Sequence, residues 1–214
     1  MKIKGIIFDL DGVICSTDKY HYEAWLKLAN KENIFFDEKI NDRLRGISRM
    51  ASLEIILEKA TKSYTLKEKE EMAEYKNELY KSLLNKMTTD DLSSEVKCTL
   101  DFLRKKGYLL AIGSSSKNAP LILKQIGLNN YFDAVSDGNN ITNTKPDPEV
   151  FLKAANYLGL QPEECIVVED AKAGIDAAKA AHMFSVAVGN ASLLKCGDEN
   201  LNYFSELQNI NILN

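Results

Sequence analysis

Short apolar runs, each ending at polar residues, recur along this chain. Runs of this length are typical of buried β-strands, and the segments between several of them carry apolar residues at helical spacing. Strands that alternate with helices in this way predict an α/β fold with a doubly wound parallel sheet. The predicted strands are residues 3–8, 108–113, 166–168 and 184–188. The predicted helices are residues 100–106, a segment after Asn118, a segment from Pro148, and residues 171–181. For the helix from Pro148, the predicted N-cap is Asp147 and the predicted C-cap is Gly159.

One segment near the N-terminus breaks this alternation. From Ser16 to Thr88 the apolar residues recur at helical spacing only. We therefore predict a helical cap domain over residues 16–88, inserted after the first strand of an α/β core domain that consists of residues 1–15 and 89–214. The three predicted apolar helix faces are Tyr22, Trp25, Leu26 and Ala29; Leu53, Ile56, Leu57 and Ala60; and Met72, Tyr75, Leu79 and Leu83.

The composition is that of an ordinary globular protein. Hydrophobic residues make up 45% of the 214 residues and charged residues 27%, and the formal net charge is −4. Lysines are interleaved with glutamates over residues 67–71, which is typical of a solvated helix face and argues against a nucleic-acid partner. We therefore expect no nucleic-acid partner. We also expect a monomer.

No segment of the sequence has the pattern of a membrane span or an export signal. The apolar run at residues 3–8 stops at Asp9, which is too short for a signal peptide, and no other stretch approaches the length of a membrane span. The four cysteines form no Cys-x-x-Cys pair, and with only two histidines they predict no zinc site. We expect Cys15 to be a small buried thiol and the protein to be reduced and cytoplasmic, without a membrane partner.

Two aspartates stand directly after the first predicted strand. Asp9 and Asp11 are two residues apart, and because a strand alternates its side chains, both leave the sheet edge in roughly the same direction. Gly12 allows the chain to turn there. Two like charges this close favour a nearby cation or a proton held on one carboxyl group. A surface turn rich in Asp and Gly is the alternative interpretation.

Polar groups follow the later predicted strands as well. Ser114 follows the second strand, Glu169 and Asp170 follow the third, and Lys145 lies between them in the sequence. Because ligands bind outside the carboxyl ends of strands in parallel α/β sheets, we expect these groups to converge with Asp9. This order of acid pair, hydroxyl, lysine and acid pair resembles the haloacid dehalogenase superfamily of aspartate-dependent phosphoryl-transfer enzymes, which have a Rossmann-like core.

The resemblance implies a role for each of these groups. Asp9 would be the nucleophile that forms an aspartyl-phosphate, and Asp11 would be the general acid and base. Ser114 and Lys145 would hold the oxygens of the transferring phosphoryl group, over which the charge of the transition state is spread. The implied cofactor is Mg²⁺, and its implied protein ligands are the Asp9 side chain, the Asp11 backbone carbonyl, Asp170, and Glu169 either as a ligand or behind the ligands.

Further motifs, spread over nearly the whole chain, resemble one family within that superfamily. They are Gly12-Val13-Ile14, Tyr20-His21, Gly46-Ile47-Ser48-Arg49, Lys76-Asn77, Ser116-Lys117-Asn118 and Ala173-Gly174-Ile175. The family is that of the β-phosphoglucomutases, and the resemblance implies the interconversion of β-D-glucose 1-phosphate and glucose 6-phosphate, with glucose 1,6-bisphosphate as primer and intermediate and a cap that closes on the sugar. The implied substrate-binding residues are Thr17, His21, Trp25, Arg45, Gly46, Arg49, Lys76, Ser114, Ser116, Lys117 and Asn118, of which Arg49, Ser116, Lys117 and Asn118 would bind the distal phosphate.

Structural roles are the alternative for several of these residues. Trp25 shares a helix face with apolar residues and fits a core position, and His21 fits local capping or pairing. Lys145 also fits a surface lysine before a proline. Glu169 and Asp170 also fit the acidic start of a helix.

Two positions depart from the family pattern, and two other functions fit the motifs. Arg45 stands where the family often has lysine, and Lys97-Cys98 stands where it commonly has Pro-Gly at the return from the cap. A sugar-phosphate phosphatase would pass through the same aspartyl-phosphate but use water as the second acceptor. A non-catalytic sugar-phosphate sensor would be free to lose Asp9 or Asp11, and both are present.

Overall fold

The computed structural model describes residues 2–44 and 47–213. The chain divides into two compact units. The sheet unit consists of the N-terminal stretch through Ser16 together with the chain from Thr88 onward, and the helical unit is Thr17–Met87. None of the helices within the described ranges is long and apolar enough to cross a membrane.

Strands and helices alternate through the sheet unit, whereas the helical unit holds the first four helices. The strands are β1 (Gly5–Phe8), β2 (Leu109–Gly113), β3 (Ala134–Ser136), β4 (Cys165–Glu169), β5 (Phe184–Ala187) and β6 (Glu199–Asn200). The helices are α1 (Asp18–Lys31), α2 (Glu38–Asp42), α3 (Arg49–Leu57), α4 (Leu66–Leu84), α5 (Ser94–Lys105), α6 (Ala119–Gln125), α7 (Glu149–Tyr157), α8 (Lys172–Ala180) and α9 (Gly189–Leu193).

The six strands form one parallel sheet in the order β3-β2-β1-β4-β5-β6. The four residues of β1 are all buried, as expected for a central strand that is covered on both faces. Phe8 in β1 is in register with Ile112 in β2 and with Val168 in β4. The chain therefore leaves these three strands at the same edge of the sheet, and the predicted fold class is confirmed.

The predicted strands agree with β1, β2, β4 and β5 to within two residues. The sequence prediction missed β3 and β6, which have three and two residues and lie at the two edges of the sheet. Helix α5 begins at Ser94 rather than at residue 100. The Ser93 side chain caps this earlier start, because its hydroxyl accepts a hydrogen bond from the Val96 N–H at 3.2 Å.

Helix α7 begins one residue later than predicted. Pro148 is its N-cap, so the prediction of Asp147 as N-cap was wrong, although the Asp147 carboxylate accepts a hydrogen bond from the Glu149 N–H at 2.9 Å. At the other end Leu158 is the C-cap, and the predicted Gly159 is the next residue. Gly159 has φ +69°, the left-handed conformation in which glycine commonly follows a helix.

The apolar core of the sheet unit lies between the strands and two helices. Ile7 and Val167 come from the strands, Phe151 from α7 and Ala177 from α8, and all four are fully buried. A Cβ atom on Gly113 would lie 2.7 Å from the ring of Phe151, so a glycine at the end of β2 allows that ring to contact the strand. Tight packing of this kind holds the ends of the strands in fixed positions.

The chain after α9 completes the sheet unit. Strand β6 pairs with β5, and the Ser185 N–H and hydroxyl both donate to the Asp198 carboxylate, at 2.9 and 2.6 Å. Beyond β6, two short 3₁₀ segments at Phe204–Asn209 and Asn211–Leu213 follow. Four of the apolar residues in this tail, Leu201, Phe204, Leu207 and Ile210, are buried.

The helical unit has its own apolar core, but helix α4 faces that core differently from the prediction. Trp25, Leu53 and Met72 lie in the core. The predicted face of α4 included Tyr75, which is exposed. The buried residues of α4 are Met72, Ala73, Lys76, Asn77, Tyr80, Leu83 and Leu84. The interior side of α4 therefore carries a lysine, an asparagine and a tyrosine.

Candidate active site

Lys145 forms two ion pairs inside the sheet unit. Its Nζ atom lies 2.5 Å from Asp9 Oδ1 and 2.7 Å from Glu169 Oε1, and all three residues are buried. Asp9 follows β1, Glu169 ends the neighbouring β4, and Lys145 comes from the segment between β3 and α7. The structure therefore brings together three residues that the sequence places far apart. Lys145 is not the surface lysine of the alternative interpretation.

The electrostatics of this triad show an excess of negative charge. Burial alone would lower the pKa of Lys145, but attraction by Asp9 and Glu169 outweighs it, so the pKa lies above its usual value and the ammonium stays charged. Burial raises the pKa of Asp9 to about 7, even though Lys145 opposes the shift. Repulsion from Glu169 and Asp11 adds to the shift of Asp9, so one ammonium does not balance the carboxylates that surround it.

Both oxygens of Glu169 are engaged. Oε1 accepts from Lys145, and Oε2 accepts from the Ala171 N–H at 2.7 Å. A Cβ atom at Gly174 would lie 1.8 Å from Oε1, so only glycine fits next to this carboxylate. Lys145, the Ala171 N–H and Gly174 thus hold Glu169 from three sides.

Asp11 stands at a tight turn just beyond Asp9. The Gly12 N–H donates to the Cys15 carbonyl at 2.7 Å, and Gly12 has φ +90°, a conformation that favours glycine. A Cβ atom at Gly12 would also lie 2.2 Å from Asp170 Oδ2, so the glycine lets the chain pass close to that carboxylate. Cys15 is buried, as predicted, and burial followed by repulsion from Asp11 and Asp9 raises the pKa of its thiol.

Asp170 adds a further carboxylate to this end of the sheet. Burial raises its pKa to about 8, and repulsion from Glu169, Asp9 and Asp11 adds to the shift. Among the described residues no three Asp, Glu, His or Cys side chains gather into a ready metal cluster. The predicted Mg²⁺ ligands are instead the Asp9 and Asp170 side chains and the Asp11 backbone carbonyl, with Glu169 either as a ligand or behind the ligands, and so small a set suits an ion that keeps several waters. The excess negative charge is the feature that fits a divalent cation.

The polar segment after β2, residues 114–118, folds into a loop that hydrogen bonds to its own serine hydroxyls stabilise. The Ser114 N–H donates to the Ser136 carbonyl of β3 at 3.0 Å, and Ser114 Oγ accepts from the Ser116 N–H at 3.2 Å. Ser116 Oγ accepts from the Asn118 N–H at 3.1 Å. Ser114 and Asn118 are buried, whereas the Lys117 side chain is exposed. The loop thus leaves β2 at the same edge of the sheet as Asp9 leaves β1.

Four of the predicted substrate-binding residues of the helical unit lie around the interior side of α4. Lys76 Nζ lies 2.8 Å from His21 Nδ1, and it lies 4.6 Å from the ring centroids of both Trp25 and Tyr80. The Tyr80 hydroxyl donates to Thr17 Oγ1 at 2.8 Å, and its ring packs against His21 with centroids 4.0 Å apart and a tilt of 33° between the rings. Trp25 is buried in the apolar core, which corresponds to its core interpretation.

The state of His21 follows from these contacts. An ammonium has no acceptor, so Lys76 donates and His21 Nδ1 accepts. Burial lowers the pKa of His21 well below its usual range, and the positive charges of Lys76 and Arg49 lower it further. His21 is therefore neutral near pH 7, with its proton on Nε2.

Arg49 opens α3 and reaches α4. One guanidinium nitrogen donates to Asn77 Oδ1 at 2.8 Å, and another lies 3.5 Å from Glu74 Oε2. The side chain is partly buried, and burial lowers its pKa although Glu74 opposes the shift. The predicted site residues Arg45 and Gly46 lie outside the described residues.

Two residues of this polar cluster were not singled out as site residues from the sequence. Tyr80 contacts Thr17, His21 and Lys76, and Asn77 contacts Arg49. The spacing of Ala73, Lys76, Asn77 and Tyr80 on one helix face was the available signal. The sequence analysis missed this face because a search for apolar residues at helical spacing does not treat a lysine and an asparagine as interior positions.

Comparisons with known proteins agree with the family resemblance of these site residues. The model of haloacid dehalogenase-like hydrolases matches residues 3–182. The chain is 43% identical over 189 residues to the β-phosphoglucomutase of Bacillus subtilis, which covers 87% of this chain and 84% of that protein. It is 32% identical over 185 residues to a fructose-1-phosphate phosphatase of Escherichia coli, covering 86% and 95%.

A solved structure supports the same family assignment. The crystal structure of β-phosphoglucomutase from Clostridium difficile aligns with a TM-score of 0.88 and 43% identity over 96% of this chain and 93% of that one. The matched family model covers all six residues of the predicted motif order, from Asp9 to Asp170. The chain belongs to the haloacid dehalogenase-like hydrolase family.

Proposed function

We propose that this protein is a β-phosphoglucomutase, which interconverts β-D-glucose 1-phosphate and glucose 6-phosphate through an aspartyl-phosphate and β-glucose 1,6-bisphosphate. The observation that carries the proposal is the buried triad of Asp9, Lys145 and Glu169. A carboxylate held against an ammonium in a protected site is suited to attack phosphorus. The choice of a mutase is supported by the 43% identity to the Bacillus subtilis enzyme, against 32% to the Escherichia coli phosphatase.

Asp9 attacks the phosphorus atom in this proposal. Lys145 favours the ionised form of Asp9 and orients it through the 2.5 Å contact, and its charge offsets the negative oxygens of the phosphoryl group. Glu169 holds Lys145 in place and is itself fixed by the Ala171 N–H. We therefore assign Glu169 to positioning Lys145 rather than to direct metal binding.

Asp11 and Ser114 complete the reacting groups. Asp11 gives a proton to the leaving sugar oxygen and takes one from the attacking sugar hydroxyl. Ser114, buried at the end of β2, donates to a phosphoryl oxygen. Both roles require the groups to stand beside Asp9, which the shared edge of the sheet favours.

Mg²⁺ is the proposed cofactor. The Asp9 side chain, the Asp11 backbone carbonyl and Asp170 would hold it, and it would supply positive charge against the phosphate oxygens. The raised pKa of Asp170, which has burial as its largest cause and then repulsion from Glu169, supports a cation next to this carboxylate. A monomeric state and a cytoplasmic location stay predictions.

The helical unit recognises the sugar and the phosphate that does not react. Arg49 offers a planar guanidinium that can pair with two phosphate oxygens. The neutral His21, which accepts from Lys76 through Nδ1, and Thr17, which accepts from Tyr80, are the other groups of this unit in the proposal. Ser116, Lys117 and Asn118 of the sheet unit are the further phosphate-binding groups in this proposal.

Product partition separates the mutase from a phosphatase. Given β-glucose 1-phosphate, Mg²⁺ and a trace of glucose 1,6-bisphosphate, we expect glucose 6-phosphate to dominate over inorganic phosphate, because the aspartyl-phosphate must last until a sugar hydroxyl arrives. α-Glucose 1-phosphate should react poorly. Both products are measured in one time course. Release of inorganic phosphate and free glucose in equal amounts would favour the phosphatase, and no turnover of any hexose phosphate would favour the sensor.

Arg49→Ala is expected to lower kcat/KM for β-glucose 1-phosphate by roughly 10- to 100-fold, the usual effect of losing a charge-assisted bond to phosphate. Stability should change little, because Arg49 is only partly buried. Steady-state kinetics and thermal unfolding of the variant give both quantities.

Arg43→Ala is the matched control in the same unit. Arg43 forms an exposed pair with Glu58, at 2.7 and 2.8 Å, and has no proposed role in binding. Its kcat/KM should stay within about twofold of wild type, as for most exposed ion pairs. If Arg49→Ala behaved like Arg43→Ala, Arg49 would have no part in substrate binding.

A further inference from the structure

The segment that carries Lys145 has little regular structure of its own. Residues 137–148, between β3 and α7, contain neither helix nor strand. Lys145 reaches Asp9 and Glu169 from this segment with a long, flexible side chain, so its ammonium is placed accurately only if the backbone is held. The partners of the backbone N–H groups in this segment are therefore informative.

One carboxylate binds two of these N–H groups. The Thr142 N–H lies 3.1 Å from both Glu149 oxygens, and the Asn143 N–H donates to Glu149 Oε2 at 2.7 Å. Thr142 and Asn143 lie three and two residues before Lys145 in the sequence. The Glu149 carboxylate thus closes a loop of backbone around the lysine position.

Lys153 completes this arrangement one turn further along α7. Its Nζ lies 2.8 Å from Glu149 Oε1, and it also donates to the Asn140 carbonyl. The Lys153 bond and then the Asn143 and Thr142 N–H groups lower the pKa of Glu149 to about 2. Glu149 is therefore ionised at neutral pH and can accept from all of these donors.

The same segment also supports the loop after β2. The Gly138 N–H donates to the Ser116 carbonyl at 3.2 Å, and the Asn139 side chain donates to the Lys117 carbonyl at 2.9 Å. Asn140 joins the two ends, because its side chain accepts from the Asp137 N–H while its carbonyl accepts from Lys153. One chain of hydrogen bonds therefore connects α7 with the segment that carries Lys145 and with the loop after β2.

We infer that Glu149 is a positioning residue for Lys145: by binding the Thr142 and Asn143 N–H groups, it fixes the backbone from which Lys145 reaches Asp9. The inference rests on the proposed phosphoryl transfer, in which Lys145 acts on the reacting group. An acidic residue at the first position of a helix also interacts favourably with the helix dipole. That effect requires no contact with residues six and seven positions earlier, and Glu149 makes both.

A double-mutant cycle tests whether Glu149 acts through Lys145. Glu149→Gln removes the charge and places an amide donor against the backbone donors. In the otherwise wild-type protein we expect kcat to fall by roughly tenfold or more with KM changed less than about twofold. In the Lys145→Ala background the same change should lower single-turnover phosphoryl transfer by less than about twofold.

Glu23→Gln is the matched control. Glu23 pairs with Lys27 at 2.7 Å, again four residues apart on a helix, and has no proposed role in catalysis. Its kcat should equal that of wild type. Glu149→Asp should recover part of the loss, because a carboxylate is restored with a shorter reach.

Hydrogen exchange gives a second measurement that does not need the Lys145→Ala protein to fold. The amide protons of Thr142 and Asn143 should exchange faster in Glu149→Gln than in wild type, while those of β1 stay protected. An unchanged kcat in Glu149→Gln, unchanged exchange at both amides, or an equal loss in both backgrounds of the cycle would each overturn the inference. A wild-type protein inactive on every hexose phosphate would instead contradict the proposed function, and amide exchange would still report whether Glu149 holds the segment.

Discussion

Asp9→Asn is expected to abolish formation of the phosphoenzyme and to reduce turnover by roughly 10⁴-fold or more, the scale seen when a covalent nucleophile is removed. An amide does not attack phosphorus, and it binds a divalent cation weakly. Lys145 should stay in place, because its 2.7 Å bond to Glu169 remains. The fold should therefore persist, with a thermal midpoint close to that of wild type.

The measurement is the covalent phosphate on the intact protein after mixing with glucose 1,6-bisphosphate. Asp176→Asn is the matched control, since Asp176 forms an exposed pair with Lys172 at 2.6 Å and has no proposed role in the reaction. The control should form phosphoenzyme as wild type does. Retention of even about a tenth of the wild-type rate by Asp9→Asn would show that another residue is the nucleophile.

The sheet unit was largely predictable because parallel strands place their carboxyl ends together. Apolar runs located β1, β2 and β4, and that alone places Asp9, Ser114 and Glu169 at one edge of the sheet. Lys145 was different, because it comes from a segment without periodicity. Only the order of the motifs pointed to it, and the structure places it between Asp9 and Glu169.

The interior of the helical unit was not predictable in the same way. The apolar pattern assigned Tyr75 to the inner face of α4, whereas Lys76, Asn77 and Tyr80 are the residues that are buried. Burial of polar groups is costly unless they are paired. Here they pair with other helices, as Lys76 does with His21, and such contacts exist only once the helices have packed.

In the sheet unit, the contacts of Glu149 likewise could not be predicted from the sequence. In the sequence it is an acidic residue at the start of a helix, which has a sufficient local explanation. Its bonds to Thr142 and Asn143 depend on how the preceding segment folds back on α7. No spacing rule relates a carboxylate to backbone donors six and seven residues earlier, so this contact required the structure.

Asp11→Asn is expected to slow turnover of β-glucose 1-phosphate by roughly 100-fold or more, the usual scale for loss of a general acid and base. The substitution keeps the Asp11 backbone carbonyl, the proposed metal ligand. It also leaves the bonds between Asp9, Lys145 and Glu169 untouched. The nucleophile should therefore survive, which distinguishes this variant from Asp9→Asn.

A comparison of two phosphoryl donors tests whether loss of the Asp11 proton causes the slower turnover. A sugar oxygen is a poor leaving group and needs a proton from Asp11, whereas the carboxylate that leaves from acetyl phosphate needs none. Asp11→Asn should therefore form phosphoenzyme from acetyl phosphate at a rate within about tenfold of wild type, but from glucose 1,6-bisphosphate at least about 100-fold more slowly than wild type. Asp9→Asn should form none from either donor. Equal slowing with both donors would mean that Asp11 serves the metal or the nucleophile, and full activity with both would remove it from the reaction.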